Sequence, residues 1–290
     1  MWFWWTILAA GFSAAVTILI KHSLKNTSAS VVSLAMFSLN TPLILWLAFN
    51  QGFNIQVKPW FFWGALCSSI IFSLAIIFRL SATKKLDLSK LTPLTCFNPF
   101  FAYILALIFL RERIQLTGLT GLGLITIGAY ILNMEPGKNN LFKPFKLLFT
   151  EKSSQLFMVS IGLTSVANVL DKISIINTAP LNPALTLLIE NIMISALIFG
   201  FLQLKKPRWQ VEFKTNFWLL LLISIIYALN CFLVMKSFTI GPVALISGVK
   251  QLQIFFILIL SWLFFKDRPS RQTWLATGLM ATGVVLIKLV

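Results

Sequence analysis

Ten apolar segments, each about as long as a bilayer is thick, dominate this 290-residue sequence. A hydrocarbon core of about 30 Å needs roughly 20 helical residues. Hydrophobic residues make up 58% of the chain and charged residues 11%, whereas soluble domains carry roughly 25% charged residues. We therefore predict an all-α integral membrane protein with ten transmembrane helices, and soluble enzymes are excluded. The predicted spans are residues 2–20, 30–49, 60–79, 90–110, 116–134, 156–176, 183–204, 216–235, 242–265 and 272–289.

The aromatic and charged residues are distributed as in a membrane protein. All 10 tryptophans lie near ends of predicted spans, where aromatic side chains meet the membrane–water interface. The formal net charge is +16, but the bases are spread between spans, which is typical of residues facing anionic lipid. A nucleic-acid partner is therefore not expected. The three cysteines, Cys67, Cys96 and Cys231, are far apart, so we expect no disulfide framework, no metal site and no cofactor.

The two halves of the chain resemble each other. The polar stretch 135–154 separates five predicted spans from five, which gives a first repeat at 1–134, a linker at 135–154 and a second repeat at 155–290. An offset of 155 residues aligns the Leu-Arg-Glu-Arg segment 110–113 with the Phe-Lys-Asp-Arg segment 265–268. Near the starts of the halves, an offset of 151 residues aligns Ser13 with Thr164. Because each half has an odd number of spans, the second repeat is predicted to be inverted in the membrane, as in secondary transporters.

These features resemble one known group of membrane proteins. Two five-span halves, a short charged turn after the fourth span of each and a Gly-rich fifth span are similar to the drug/metabolite transporter superfamily, in its EamA-like branch. The resemblance covers nearly the whole chain. It implies a ten-helix carrier with a central substrate cavity between the halves, working by alternating access. It also implies cytoplasmic termini, whereas the Lys and Arg distribution places both termini outside; both interpretations put the termini on one side.

Ionisable side chains inside the spans are the main candidates for a binding site. A charge at mid-membrane costs about 2.5–3.5 kcal/mol on insertion scales. Glu190 and Lys250 lie well inside the seventh and ninth predicted spans. Snorkelling to the interface explains the charged residues nearer to span ends, which are Arg79, Asp171, Lys172 and Lys236.

Two related polar stripes support a site around Lys250. The stripe Ser247-Lys250-Gln253 in the ninth span aligns, by the 155-residue offset, with Thr92-Thr95-Asn98 in the fourth. Residues three apart share a helix face, and an inverted repeat brings such faces together near the midplane. The alternative is that these groups only form hydrogen bonds between neighbouring helices.

Glu190 is the predicted counter-charge of Lys250. An ion pair between them would lower the cost of burying both charges, and it could be purely structural. In the functional alternative, a substrate carboxylate or phosphate binds Lys250, while Glu190 binds a substrate ammonium or a coupling proton. The predicted substrate-binding residues are Asn40, Thr95, Asn98, Asn168, Glu190, Asn191, Tyr227, Asn230, Ser247, Lys250 and Gln253.

The sequence thus predicts a secondary active transporter, an exporter or exchanger, for a small polar metabolite that is amino-acid-like or another organic ion. It contains no GxxxxGK[ST] motif for ATP. Expected partners are the substrate, the lipid bilayer, and a proton or exchanged metabolite; we expect a monomer or homodimer in a bacterial inner membrane. Alternatives are a lipid or lipid-linked flippase of the same fold, a non-transporting scaffold, or a membrane-embedded enzyme, for which the chain offers few nucleophiles or metal ligands.

Overall fold

The computed structural model describes residues 1–52, 55–86, 91–132, 151–205, 209–265 and 271–289, and nearly all of them are helical. The helices before the predicted linker are α1 (Trp2–Ser23), α2 (Ala29–Ser38), α3 (Thr41–Gln51), α4 (Pro59–Lys85), α5 (Asn98–Phe109) and α6 (Leu116–Leu132). Those after it are α7 (Lys152–Ile176), α8 (Pro183–Lys205), α9 (Trp209–Thr215), α10 (Phe217–Phe238), α11 (Val243–Val249), α12 (Gln253–Phe265) and α13 (Arg271–Lys288).

Short elements complete the described chain. Two 3₁₀ helices, Thr92–Phe97 and Lys250–Leu252, precede α5 and α12. Two-residue strands β1 (Gln56–Val57) and β2 (Thr178–Ala179) pair in antiparallel fashion. Of the predicted linker 135–154, residues 135–150 lie outside the described residues. Helix α7 begins at Lys152, inside the predicted linker, and buries Ser154 in its first turn.

The outer surface of the protein suits a lipid bilayer. Six described segments are long and apolar enough to cross a membrane by length and composition, namely 2–23, 29–51, 59–85, 152–176, 183–204 and 217–238, and shorter apolar helices cover 94–109, 116–132 and 243–259. Large apolar side chains project outward from them; Trp46, Trp60 and Trp218 are 62%, 68% and 79% exposed. Apolar surface of this extent marks contact with lipid rather than water. The protein is therefore an integral, multi-pass membrane protein.

Three predicted spans are interrupted rather than continuous. The span 30–49 breaks between α2 and α3, where Pro42 in the first turn of α3 has no N–H and its ring clashes with the preceding turn. In the span 90–110, Pro93 and Pro99 occupy the first turns of the 3₁₀ helix and of α5. The span 242–265 changes to 3₁₀ geometry at Lys250 without a proline. Irregular backbone at membrane depth is tolerated where it lines a cavity.

Helices before the linker pack against helices after it. The most extensive contacts join α4 to α7, α6 to α13, and α1 to α10. Small residues allow the close approach: Gly64 of α4 lies against Ser174 of α7, and Gly121 of α6 lies against Gly283 of α13. The interior is therefore shared between the two parts of the chain.

Candidate functional site

A cavity of about 210 Å³ lies in this shared interior. Its walls come from α1, α2, α4, α5, α7, α8, α10, α11 and α12, together with both 3₁₀ helices. The cavity is mixed in character, because apolar side chains such as Phe72 and Ile254 alternate with polar ones. The polar lining residues include Ser13, Thr17, Ser68, Arg79, Thr95, Asn98, Thr164, Asn168, Asp171, Glu190, Tyr227, Asn230, Ser247, Lys250, Gln251 and Gln253.

Most of the residues predicted from the sequence meet at this cavity. Those that line it are Thr95, Asn98, Asn168, Glu190, Tyr227, Asn230, Ser247, Lys250 and Gln253. Two others, Asn40 and Asn191, do not line it. Instead Nδ2 of Asn191 donates to Oδ1 of Asn40 at 3.0 Å, and both residues are buried. Their role as binding residues stays a prediction; in the structure the two amides form a contact between helices.

Several polar lining residues are held by neighbouring helices. Nε2 of Gln251 donates to the backbone carbonyl of Thr95 at 2.6 Å, which ties the two 3₁₀ helices together. Oγ of Ser165 donates to Oδ1 of Asn98 at 2.9 Å, and Oγ of Ser13 donates to Oε1 of Gln253 at 2.5 Å. Part of the two predicted polar stripes therefore forms hydrogen bonds between neighbouring helices, which is the alternative to substrate binding. The side chain of Thr92 lies outside the described structure.

The predicted ion pair between Glu190 and Lys250 is not present in the described structure. The carboxyl group of Glu190 instead lies beside that of Asp171, and Asp171 accepts a hydrogen bond from Oγ of Ser68. Two neighbouring buried carboxyl groups cannot both be ionised without a large cost, so we expect them to share a proton in a hydrogen bond. The second oxygen of Glu190, Oε1, is buried without a hydrogen-bond partner, so it is available to a ligand.

Two charged residues assigned above to span ends belong to the cavity. Helix α4 continues to Lys85, so Arg79 lies well inside it; the guanidinium sits 5.9 Å from the ring centroid of Phe157. Asp171 is 8% exposed and contacts Ser68 and Glu190. An aspartate side chain is too short to snorkel, a signal that could have identified Asp171. Arg79 was missed because the predicted span ended too early.

The other two charged residues of that group lie away from the cavity lining. Nζ of Lys172 is 2.5 Å from Oε1 of Glu112 and donates to the carbonyl oxygen of Gly241 at 2.7 Å. Oε2 of Glu112 accepts the backbone N–H of Val243, the first residue of α11, at 2.9 Å. Lys172 therefore has fixed partners instead of a free ammonium. Lys236 lies 4.5 Å from the ring centroid of Trp5, as expected of a base near the interface.

Positions aligned by the two sequence offsets line the cavity in pairs. Ser13 and Thr164, Thr17 and Asn168, Phe72 and Tyr227, Thr95 and Lys250, and Asn98 and Gln253 all contribute to its walls. The charges do not follow this pairing. Each charged lining residue aligns with an uncharged one: Arg79 with Val234, Asp171 with Ile20, Glu190 with Leu39 and Lys250 with Thr95. Among the described residues, no group of three His, Cys, Asp or Glu could hold a metal ion.

Comparisons with known proteins give a family and a fold. The family model described as the EamA-like transporter family matches residues 1–134 and 155–289. A solved structure, described only as "Crystal structure of protein", aligns with a TM-score of 0.72 over 99% of this chain and 95% of that chain, at 15% sequence identity. Identity this low shows a shared fold alone. No curated protein sequence matches the chain significantly.

Proposed function

Because the chain belongs to the EamA-like transporter family, we propose that it is a secondary carrier for a small polar metabolite, amino-acid-like or another organic ion, working by alternating access. Membership makes it a membrane transporter of the drug/metabolite transporter superfamily. The observation that carries the finer proposal is the shared cavity, where Arg79, Asp171, Glu190 and Lys250 gather. Charged groups are costly at membrane depth and mark substrate or ion pathways.

Ten spans in two inverted repeats would form the pathway. Reciprocal contacts support this part of the proposal: a Cβ added at Gly121 would lie 2.7 Å from the carbonyl oxygen of Gly283, and one at Gly128 would lie 2.8 Å from that of Ala276. The 155-residue offset pairs Gly121 with Ala276 and Gly128 with Gly283. Each contact is thus the counterpart of the other, as expected around a two-fold axis.

A second set of contacts follows the same relation. Nζ of Lys21 donates to the carbonyl oxygen of Leu86 at 2.8 Å, and Nζ of Lys172 to that of Gly241 at 2.7 Å. The 151-residue offset relates the two lysines, and the 155-residue offset relates the two carbonyl groups. Two halves so related can exchange conformations, which would expose the cavity to each side of the membrane in turn.

The driving force would be a gradient. The sequence has no Walker-type ATP motif, so the substrate's own gradient, a proton or an exchanged metabolite would drive export or exchange. The proposed location is a bacterial inner membrane, and the proposed assembly is a monomer or homodimer.

A two-stage experiment tests the carrier proposal. A thermal-shift screen of the purified protein against amino acids, amines, organic acids and nucleotides should yield at least one stabilising compound, because a ligand that binds the folded state raises its stability. Proteoliposomes should then take up that compound saturably. Lys250→Gln should lose both effects, while Lys58→Gln, at an exposed position, should keep them. Stabilisation without uptake in any gradient would instead indicate a receptor or scaffold.

A further inference from the structure

Arg79 presents an unpaired positive charge to the cavity. Its Nε is buried without a hydrogen-bond partner, and its guanidinium lies over the ring of Phe157. No carboxylate of the described chain lies within 4.0 Å of the guanidinium. A guanidinium presents its N–H donors in a planar fork that matches a carboxylate or phosphate.

Lys250 presents a second positive charge to the same space. It belongs to the 3₁₀ helix between α11 and α12 and lines the cavity. Arg79 is close enough for the two charges to repel each other. Within the described residues, Lys250 has no ion pair either. Two cations that face one cavity without counter-charges are costly at membrane depth, and an anion between them would lower that cost.

The nearby acids do not neutralise both cations. Asp171 and Glu190 are buried side by side in the cavity wall, and two neighbouring buried carboxyl groups do not both ionise, so the pair carries one negative charge. The remaining titratable lining groups, Tyr227 and Cys231, are neutral in their protonated forms. Two positive charges therefore face one negative charge, and the cavity has one positive charge in excess.

We propose that the transported metabolite is a small organic anion whose carboxylate or phosphate group binds between Arg79 and Lys250. This inference rests on the proposed carrier function and adds the charge of the substrate and a second anchoring residue. The anion supplies the missing counter-charge, and the fork of Arg79 sets its orientation. The cavity of about 210 Å³ limits the substrate to a small molecule. A carboxylate and a phosphate monoester share this chemistry.

A matched panel of compounds tests the charge of the substrate. Thermal stabilisation and competition for uptake would be measured with succinate, lactate, glycerol 3-phosphate, inorganic phosphate, leucine and putrescine at equal concentrations. We expect anions to stabilise the protein and compete for uptake, with putrescine without effect. Preference for a carboxylate over a phosphate, or the reverse, identifies the anionic group. Uptake of putrescine alone would overturn the inference and leave the carrier proposal intact, whereas no uptake of any compound would contradict the carrier proposal itself.

Substitutions test the two anchoring residues. Arg79→Gln and Lys250→Gln should each weaken anion binding by about tenfold to a hundredfold, as expected for losing a charged hydrogen bond. The controls Arg113→Gln and Lys58→Gln, both at exposed positions, should bind like the unmodified protein. Arg79→Lys keeps the positive charge but loses the planar fork, so its anion affinity should lie between those of the unmodified protein and Arg79→Gln. Size-exclusion chromatography checks that each variant is folded. If Arg79→Gln does not fold, Arg79→Lys takes its place, and if Lys250→Gln does not fold, Lys250→Arg takes its place. Unchanged anion binding in folded Arg79 and Lys250 variants would overturn the inference.

Discussion

At the scale of single residues, the Asp171–Glu190 contact is the most unusual feature of the cavity. Both side chains are buried, at 8% and 3% exposure, and they belong to different helices, α7 and α8. Two neighbouring carboxyl groups cannot both be ionised without a large electrostatic cost, so we expect one of them to hold a proton. Oε1 of Glu190 is a buried acceptor without a hydrogen-bond partner in the described structure.

Two substitutions of Glu190 distinguish its expected hydrogen bond with Asp171 from its ability to carry a proton. Glu190→Gln keeps an N–H donor for Asp171, so its stability should stay within about 1 kcal/mol of the unmodified protein. Glu190→Ala leaves Asp171 short of a partner and should lose about 1–3 kcal/mol. Thermal unfolding of the purified variants measures both. Equal stability of the two variants would contradict the hydrogen bond. Transport by Glu190→Gln should be sharply weaker than transport by the unmodified protein, because glutamine cannot bind a substrate ammonium as an anion or carry a proton.

The sequence reveals some of these residues and hides others for a physical reason. Glu190 and Lys250 stand out because each interrupts a long apolar run. Partners remain hidden, because they come from distant parts of the chain: Ser68 and Asp171 are 103 residues apart. An ionisable side chain in a span has many candidate partners, and only the packing of helices decides whether Glu190 meets Lys250 or Asp171.

At the scale of secondary-structure elements, glycines set the contact between α6 and α13. A Cβ at Gly121 would meet the carbonyl oxygen of Gly283 at 2.7 Å, whereas a Cβ at Gly123 would meet nothing within 4 Å. Backbone atoms cannot move aside as a flexible side chain can, so the two neighbouring glycines of one helix differ in what they tolerate.

The matched substitutions Gly121→Ala and Gly123→Ala follow from this difference. Gly121→Ala should destabilise the protein by about 1–3 kcal/mol, because overpacking forces the helices apart. Gly123→Ala should be neutral or stabilising by up to about 1 kcal/mol, because alanine favours the helix. The melting temperatures of the two purified variants measure this difference, and Gly121→Ala should melt at the lower temperature. Equal melting temperatures would show that α6 and α13 do not approach as described.

The turn after α5 contacts the start of α11, because Oε2 of Glu112 accepts the backbone N–H of Val243. Arg111 has a positive φ of 54°, the left-handed geometry that commonly ends helices, and Glu112 follows it. Glu112→Gln should lower the free energy of unfolding by about 1–3 kcal/mol, because the ion pair with Lys172 is lost while Lys172 stays half-buried. Arg113→Gln in the same turn, at an exposed position, serves as the control. Equal melting curves for both variants would contradict this role.

The elements themselves were largely predictable, and their interruptions only partly so. Helical structure occupies each predicted apolar range, because hydropathy and length decide which segments suit a membrane. The breaks at Pro42, Pro93 and Pro99 have a visible cause in the sequence. The 3₁₀ turn at Lys250 does not, because it depends on contacts such as that of Gln251 with Thr95.

At the scale of the whole molecule, the two segments that match the family model, 1–134 and 155–289, contribute different charges to the cavity. Aligned positions share the walls of the cavity, yet Asp171, Glu190 and Lys250 all lie in the second half and Arg79 in the first. The two proposed repeats would allow the proposed exchange between two conformations. The unduplicated charges make the cavity itself asymmetric, so a substrate would bind in one orientation.

The native cysteine Cys231 gives the most direct test of alternating access at this cavity. It lines the cavity and is a half-buried free thiol. In a Cys67→Ser, Cys96→Ser background that still transports, a membrane-impermeant maleimide would be applied to proteoliposomes from each side separately. We predict that Cys231 is labelled from either side and protected by the transported compound. Labelling from one side alone, under every gradient, would contradict alternating access through this cavity.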